Sequence, residues 1–211
     1  MRSRVCLTVF FLSLTLVLSA QQAPPPPSAS TKASTSNSST PDPGVLSNGV
    51  YRNPSFGFTY KVPFGWVDRT DAMRQDSTAS SKSMVLLGVF ERPPEATGDT
   101  LNSAVVIAAE SASAYPGLKA AAQYFGPLTE VATAKGLKVV NPPYEFPVDA
   151  KPIVRCDFAG EMRGLPVQQS TLVLLQKGYL ISFTFIASND DEMAERIDGL
   201  QFGKVRNPAG K

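Results

Sequence analysis

"PIVRCDFAGEMRGLPVQQSTLVLLQKGYLISFTFIAS", Pro152 to Ser188, is the stretch that decides the fold. β-branched and aromatic residues dominate it, and two breaks divide it into three consecutive antiparallel strands. Lys177-Gly178 predicts a tight turn, and Arg163-Gly164-Leu165-Pro166 predicts a loop. In the first strand, alternation places Val154, Cys156 and Phe158 on one face and Arg155, Asp157 and Glu161 on the other. The first set is core, with Cys156 as a buried thiol; the second set is a candidate binding surface.

Working outward, Phe56, Phe58, Tyr60 and Val62 alternate with Gly57, Thr59 and Lys61, which is a strand ended by Pro63. Its aromatic face is expected to pack the sheet against a helix layer, with Pro63 and Gly65 turning the chain and Trp66 pinning the turn. Tyr60 and Trp66 are also candidate contacts at the rim of a binding surface. Further strands are expected over Met84 to Glu91, Asn102 to Ala109 and Lys138 to Asn141. A helix is expected around Leu118, Ala121, Ala122, Phe125 and Leu128, stopped by Gly136 and kinked or divided at Gly126-Pro127. A last helix has Asn189 as its cap, Asp190 to Glu192 at its positive end and an apolar stripe of Met193, Ile197 and Leu200. Strands early, a helix between, three strands together and a closing helix make an α+β layered domain, with helices covering a mainly antiparallel sheet.

The N-terminal part of the chain is of a different kind. Arg2 and Arg4 precede an apolar run, Val5 to Leu18, with Ser19 and Ala20 before a polar start; residues 1–20 are expected to be a cleaved signal peptide. The run is shorter than the ~20 residues of a membrane span, so no transmembrane anchor is expected after cleavage. Residues 21–48 are rich in Ser, Thr and Pro and contain no aromatic residue. That composition predicts a disordered linker. The domain is expected over 49–205, followed by a short flexible tail, 206–211.

These parts resemble a known family. "YRNPSFGFTYKVPFGW" (Tyr51 to Trp66), the antiparallel sheet, "GYLISFTFIA" (Gly178 to Ala187) and the closing "MAERIDGLQF" (Met193 to Phe202) are similar to the PsbP-like proteins. That family includes a Ran-binding relative and small exported bacterial proteins. The resemblance covers Tyr51 to Phe202 and implies an α/β/α sandwich. Its marks are fold markers, and no catalytic motif comes with them.

Composition narrows the chemistry. The chain has no histidine, which removes Ser-His-Asp and Cys-His catalysis and histidine-ligated zinc. Loss of Arg2 and Arg4 with the signal peptide takes a chain of net charge +2 to neutrality, so bulk charge offers nothing to nucleic acid. Of the two cysteines only Cys156 would remain, with no intramolecular disulfide. Asp157 and Glu161 are the first acid/base candidates, yet four positions along a strand separate their α-carbons by ~13 Å. The acidic trio Asp190, Asp191 and Glu192 is explained by helix capping. No glycine-rich phosphate loop or calcium loop is present, and no cofactor is expected. The sequence therefore points to an exported, non-catalytic domain that binds another envelope or secreted protein, or a small apolar ligand. The alternative is an enzyme whose carboxylate or hydroxyl groups are assembled from distant loops.

Overall fold

Two tight turns set the register of the central strands. Lys177 and Gly178 have φ of 53° and 77°, the positive values that a two-residue hairpin needs to match strand twist, and Gln176 pairs with Tyr179. Arg163 and Gly164, at 55° and 79°, do the same. Leu165 and Pro166 are therefore not loop residues as expected: they already pair with Met162 and Glu161.

The computed structural model describes residues 41–76, 83–93, 95–96 and 98–203. The expected signal peptide, residues 21–40 of the expected linker and the expected tail lie outside the described residues. The strands are β1 (Val45–Ser47), β2 (Val50–Asn53), β3 (Phe58–Lys61), β4 (Val67–Asp68), β5 (Ser83–Phe90) and β6 (Ala104–Ser111). They continue with β7 (Lys138–Glu145), β8 (Val154–Met162), β9 (Leu165–Gln176), β10 (Tyr179–Ala187) and β11 (Leu200–Phe202). Helices are α1 (Thr70–Asp76), α2 (Phe125–Ala134) and α3 (Asp190–Asp198), with short 3-10 turns at Ala112–Ala114 and Ala121–Tyr124.

A seven-stranded antiparallel sheet runs in the order β4-β5-β6-β10-β9-β8-β7, and a four-stranded one in the order β1-β2-β3-β11. The α+β class and the layered, largely antiparallel plan follow the expectation. What differs is the layer facing the aromatic strand. β3 belongs to the small sheet, and its Phe58 and Tyr60 meet Phe183 and Phe185 of the large sheet, at ring separations of 5.0 and 6.1 Å. Tyr51, Phe202, Met193 and Ile197 join this core, so β2, β11 and α3 all contribute to it. The layer is mostly sheet because β3 finds strand partners on both sides, β2 and β11.

The opposite face of the large sheet carries a second core. Tyr124, Phe125, Ala132 and Leu137 cover Cys156, Phe158, Val173 and Leu180. The helical segment divides at Tyr124/Phe125, and Pro127 sits in the first turn of α2, where its missing N–H breaks no intrahelical bond. α3 starts as expected: Asn189 Oδ1 accepts from the Glu192 N–H at 2.9 Å. It ends before Leu200, which pairs with Tyr60 as part of β11 and not as a last helical turn.

The linker expectation ends too late. Val45–Ser47 pair with β2 through a turn in which Asn48 and Gly49 have φ of 51° and 71°. Upstream, the Tyr51 hydroxyl donates to the Pro43 carbonyl at 2.8 Å and Asn53 Nδ2 to the Asp42 carbonyl at 3.0 Å. Ordered structure therefore begins before Gly49, because the buried polar ends of Tyr51 and Asn53 take their partners from this segment.

Candidate interaction surface

β7 forms one edge of the large sheet, and every one of its residues is exposed. Such an edge is open to pairing unless something disturbs it. Here Pro142 and Pro143 lie in the strand and the register with β8 slips twice, between Val139 and Asn141 and between Asn141 and Tyr144. The prolines lack the N–H of a regular ladder, and the bulges accommodate them. Together the slips oppose Asn141 to Asp157 and Tyr144 to Arg155, and both side chains reach the Asp157 carboxylate.

Asp157 is 7% exposed and is satisfied on both oxygens. Oδ1 accepts from Arg155 Nε at 2.7 Å and from Ser170 Oγ at 2.5 Å; Oδ2 accepts from Asn141 Nδ2 at 3.0 Å and Tyr144 Oη at 3.2 Å. Burial alone would raise the carboxyl pKa, but the bonds from Ser170, Arg155 and Asn141 outweigh it and hold it below the usual range. Arg155 also reaches Ser170 Oγ at 3.0 Å, and its guanidinium lies 4.9 Å from the Phe146 ring centre and 5.9 Å from that of Tyr144. An ionised carboxylate has about four lone-pair sites, and four donors occupy them. Asp157 is thus a fixed anion that ties β7, β8 and β9 together and does not stand ready as a general base.

The edge strand exposes apolar residues beside Lys138, Asn141 and Glu145. Val139, Val140 and Tyr144 of β7 are 39, 55 and 38% exposed, and Val131 of the adjoining α2 is 54% exposed. On the inner side, Cys156 is fully buried, its Sγ donates to the Asn141 carbonyl at 3.3 Å, and burial pushes its pKa up to about 11.

Of the residues expected at a binding surface, the structure brings Arg155 and Asp157 together and separates the others. Tyr60 is not a surface residue: it is 0% exposed, because alternation along β3 aims it with Phe58 at the large sheet. Its hydroxyl is buried without a hydrogen-bond partner among the described residues, and burial raises its pKa. Glu161 is exposed near the far end of β8, opposite Pro166, and takes no part in the Asp157 network. Trp66 is half-buried on the small-sheet side, packed on the aromatic core with Arg196 stacked over its ring at 4.9 Å. The neighbouring Phe64 is fully exposed, 105%. Ser170, Asn141, Tyr144 and Phe146 were not anticipated. Ser170 was available from the sequence, since a two-residue turn at Arg163-Gly164 places it opposite Asp157. The contribution of β7 depends on bulges that no periodicity announces.

Among the described residues, no cluster of three or more Cys, Asp or Glu side chains is placed to hold a metal, and no helix is long and apolar enough to cross a membrane. Fold and surface together define an α+β domain of two antiparallel sheets with an exposed, bulged edge strand. No family model matches the sequence, and no curated protein does. Solved structures do. PsbP from the cyanobacterium Synechocystis sp. PCC 6803 is 14% identical, over 73% of this chain and 91% of that one, with a TM-score of 0.47. The Ran-binding protein Mog1p of Saccharomyces cerevisiae is 12% identical, over 73% and 84%, with a TM-score of 0.41. LpqN of Mycobacterium tuberculosis, described as involved in cell envelope biogenesis, is 15% identical, over 75% and 80%, with a TM-score of 0.39.

Proposed function

We propose that the chain is an exported, non-catalytic binding or accessory domain that docks another envelope or secreted protein along the β7 edge. Export rests on the charged, apolar and small-residue pattern of residues 1–20. One observation carries the docking assignment: the edge strand β7 leaves Val139, Val140 and Tyr144 39, 55 and 38% exposed while Asp157 ties it to β8 through Asn141 and Tyr144. An edge strand held rigid before binding loses little entropy on association. Its prolines and bulges disfavour simple strand addition, so the partner is expected to contact side chains and not to extend the sheet.

The test is site-specific photo-crosslinking in the native envelope, with the reactive group at Val140 and, as control, at exposed Lys119. The expected result is one adduct with an exported protein from Val140 only. Purified, that protein should bind the wild type and lose about tenfold or more in affinity for Val140→Asp. An equal adduct pattern at both positions, or undiminished binding by a folded Val140→Asp protein, would refute the assignment.

A further inference from the structure

A second feature involves neither β7 nor Asp157. Three turns and the end of β11 converge on a cleft of about 390 Å³ lined by Pro54, Phe56, Gly57, Lys151, Lys177 and Gly203 among others. The turns are Asn53 to Gly57 between β2 and β3, Lys177-Gly178 between β9 and β10, and Asp149-Ala150, whose φ values are 46° and 63°. Its walls are tied to one another. Lys177 Nζ donates to the Ser55 carbonyl at 2.6 Å, Gln176 Nε2 to the Phe56 carbonyl at 3.2 Å and the Gly203 N–H to the Gly57 carbonyl at 3.4 Å.

The charge in the cleft is of one sign. Among the described residues, Lys151 and Lys177 line it, no carboxylate does, and neither lysine forms an ion pair. Asp149, in the turn that precedes Lys151, is turned to the Phe202 N–H, which its Oδ2 accepts at 2.9 Å. The rest of the lining is Pro54, Phe56, Gly57 and Gly203 with the polar Ser55 and Gln176, and the lysine stems add apolar surface. The volume is that of a small-molecule site, and an ammonium with spare donors is a ready partner for an oxyanion.

We infer that this cleft binds a small amphiphilic anion, an acyl or aryl group carrying a carboxylate or phosphate, whose charge lies between Lys151 and Lys177. The headgroup replaces water on the two ammonium groups, and the apolar body lies over Pro54 and the lysine stems. Lys177 keeps its bond to Ser55 and supplies a second donor; Lys151, held at the base of its hairpin by the Val148 pairing, supplies the other.

Amide NMR of the ¹⁵N-labelled full chain tests this, with octanoate, octyl phosphate, octanol and inorganic phosphate as probes. Saturable shifts at Gly57, Gly178 and Gly203 are expected with at least one of the two amphiphilic anions, and their ratio tells carboxylate from phosphate. Octanol and inorganic phosphate should each bind about tenfold more weakly or worse, since each lacks half of the recognition. Lys151→Gln, which leaves the Lys177–Ser55 bond in place, should weaken the anion about tenfold, and Lys151→Arg should retain most of the binding. Absence of saturable shifts with both anions would overturn the inference, as would equal binding of octanol or indifference to Lys151→Gln.

Discussion

Ser170 stands directly opposite Asp157 across β8 and β9, and its hydroxyl donates to Asp157 Oδ1 at 2.5 Å. The same hydroxyl lies 3.0 Å from Arg155, so one small side chain links both members of the ion pair. An ion pair taken out of water is stabilising only when its remaining hydrogen-bonding capacity is met. Ser170, Asn141 and Tyr144 meet it here, and that keeps the edge strand β7 in place.

Asp157→Asn should therefore destabilise the domain by about 2–3 kcal/mol at neutral pH, because Arg155 would face a neutral group in a mostly buried site. The effect depends on pH with a definite sign. The folded-state pKa of Asp157 lies below the ordinary value, so its contribution is fully present above the unfolded carboxyl pKa of ~3.9 and is lost as pH falls through the folded value. Urea unfolding of wild type and variant between pH 7 and pH 3 should show the gap narrowing below about pH 4. A gap independent of pH would show that the ionised form is not what matters.

Cys156 should be inert in the folded protein. It is buried and its thiol pKa is raised to about 11, which leaves almost no thiolate at neutral pH. A thiol reagent should label it only after denaturation, and Cys156→Ala should cost about 1 kcal/mol. Stoichiometric labelling of the native protein within minutes would contradict both the burial and the pKa direction.

Trp66 should report on its contact with Arg196. The indole is half-buried and the guanidinium covers one side of it at 4.9 Å, so its emission should lie between the solvent-exposed and the fully buried limits. Arg196→Ala should shift that emission to the red and lower stability by about 1 kcal/mol. Trp66→Ala, which also removes packing against the aromatic core, should cost about 2 kcal/mol or more. Unchanged fluorescence in Arg196→Ala would mean that the stacking does not persist in solution.

The true start of the domain can be located by truncation. A chain beginning at Gly49 lacks β1 and leaves Tyr51 and Asn53 without their bonds to Pro43 and Asp42. Relative to a chain beginning at Pro41, it should lose about 2 kcal/mol, or about 4–8 °C in Tm for a domain of this size. Equal melting temperatures would return residues 41–48 to the linker.

Local sequence accounts for much of this molecule. The three strands from Pro152 to Ser188, the Lys177-Gly178 turn, the Asn189 cap and the two faces of β8 are all readable, because backbone sterics and strand or helix period act within a few residues. So is the exclusion of histidine chemistry. Reading Arg163-Gly164 as a two-residue turn would also have placed Ser170 against Asp157. The remaining features are decided at a distance. Whether Phe58 and Tyr60 face a helix or another sheet depends on β2 and β11 pairing with β3, and β11 is separated from β3 by most of the domain. Asn141 and Tyr144 converge on Asp157 only because β7 bulges around Pro142 and Pro143 when laid against β8. The cleft between Lys151 and Lys177 exists only where turns remote in sequence meet. Sequence by itself determined which residues prefer strand, turn or cap, since those are local energies. Tertiary structure alone decided which of their side chains share a surface, since that requires the loops between them to be closed first.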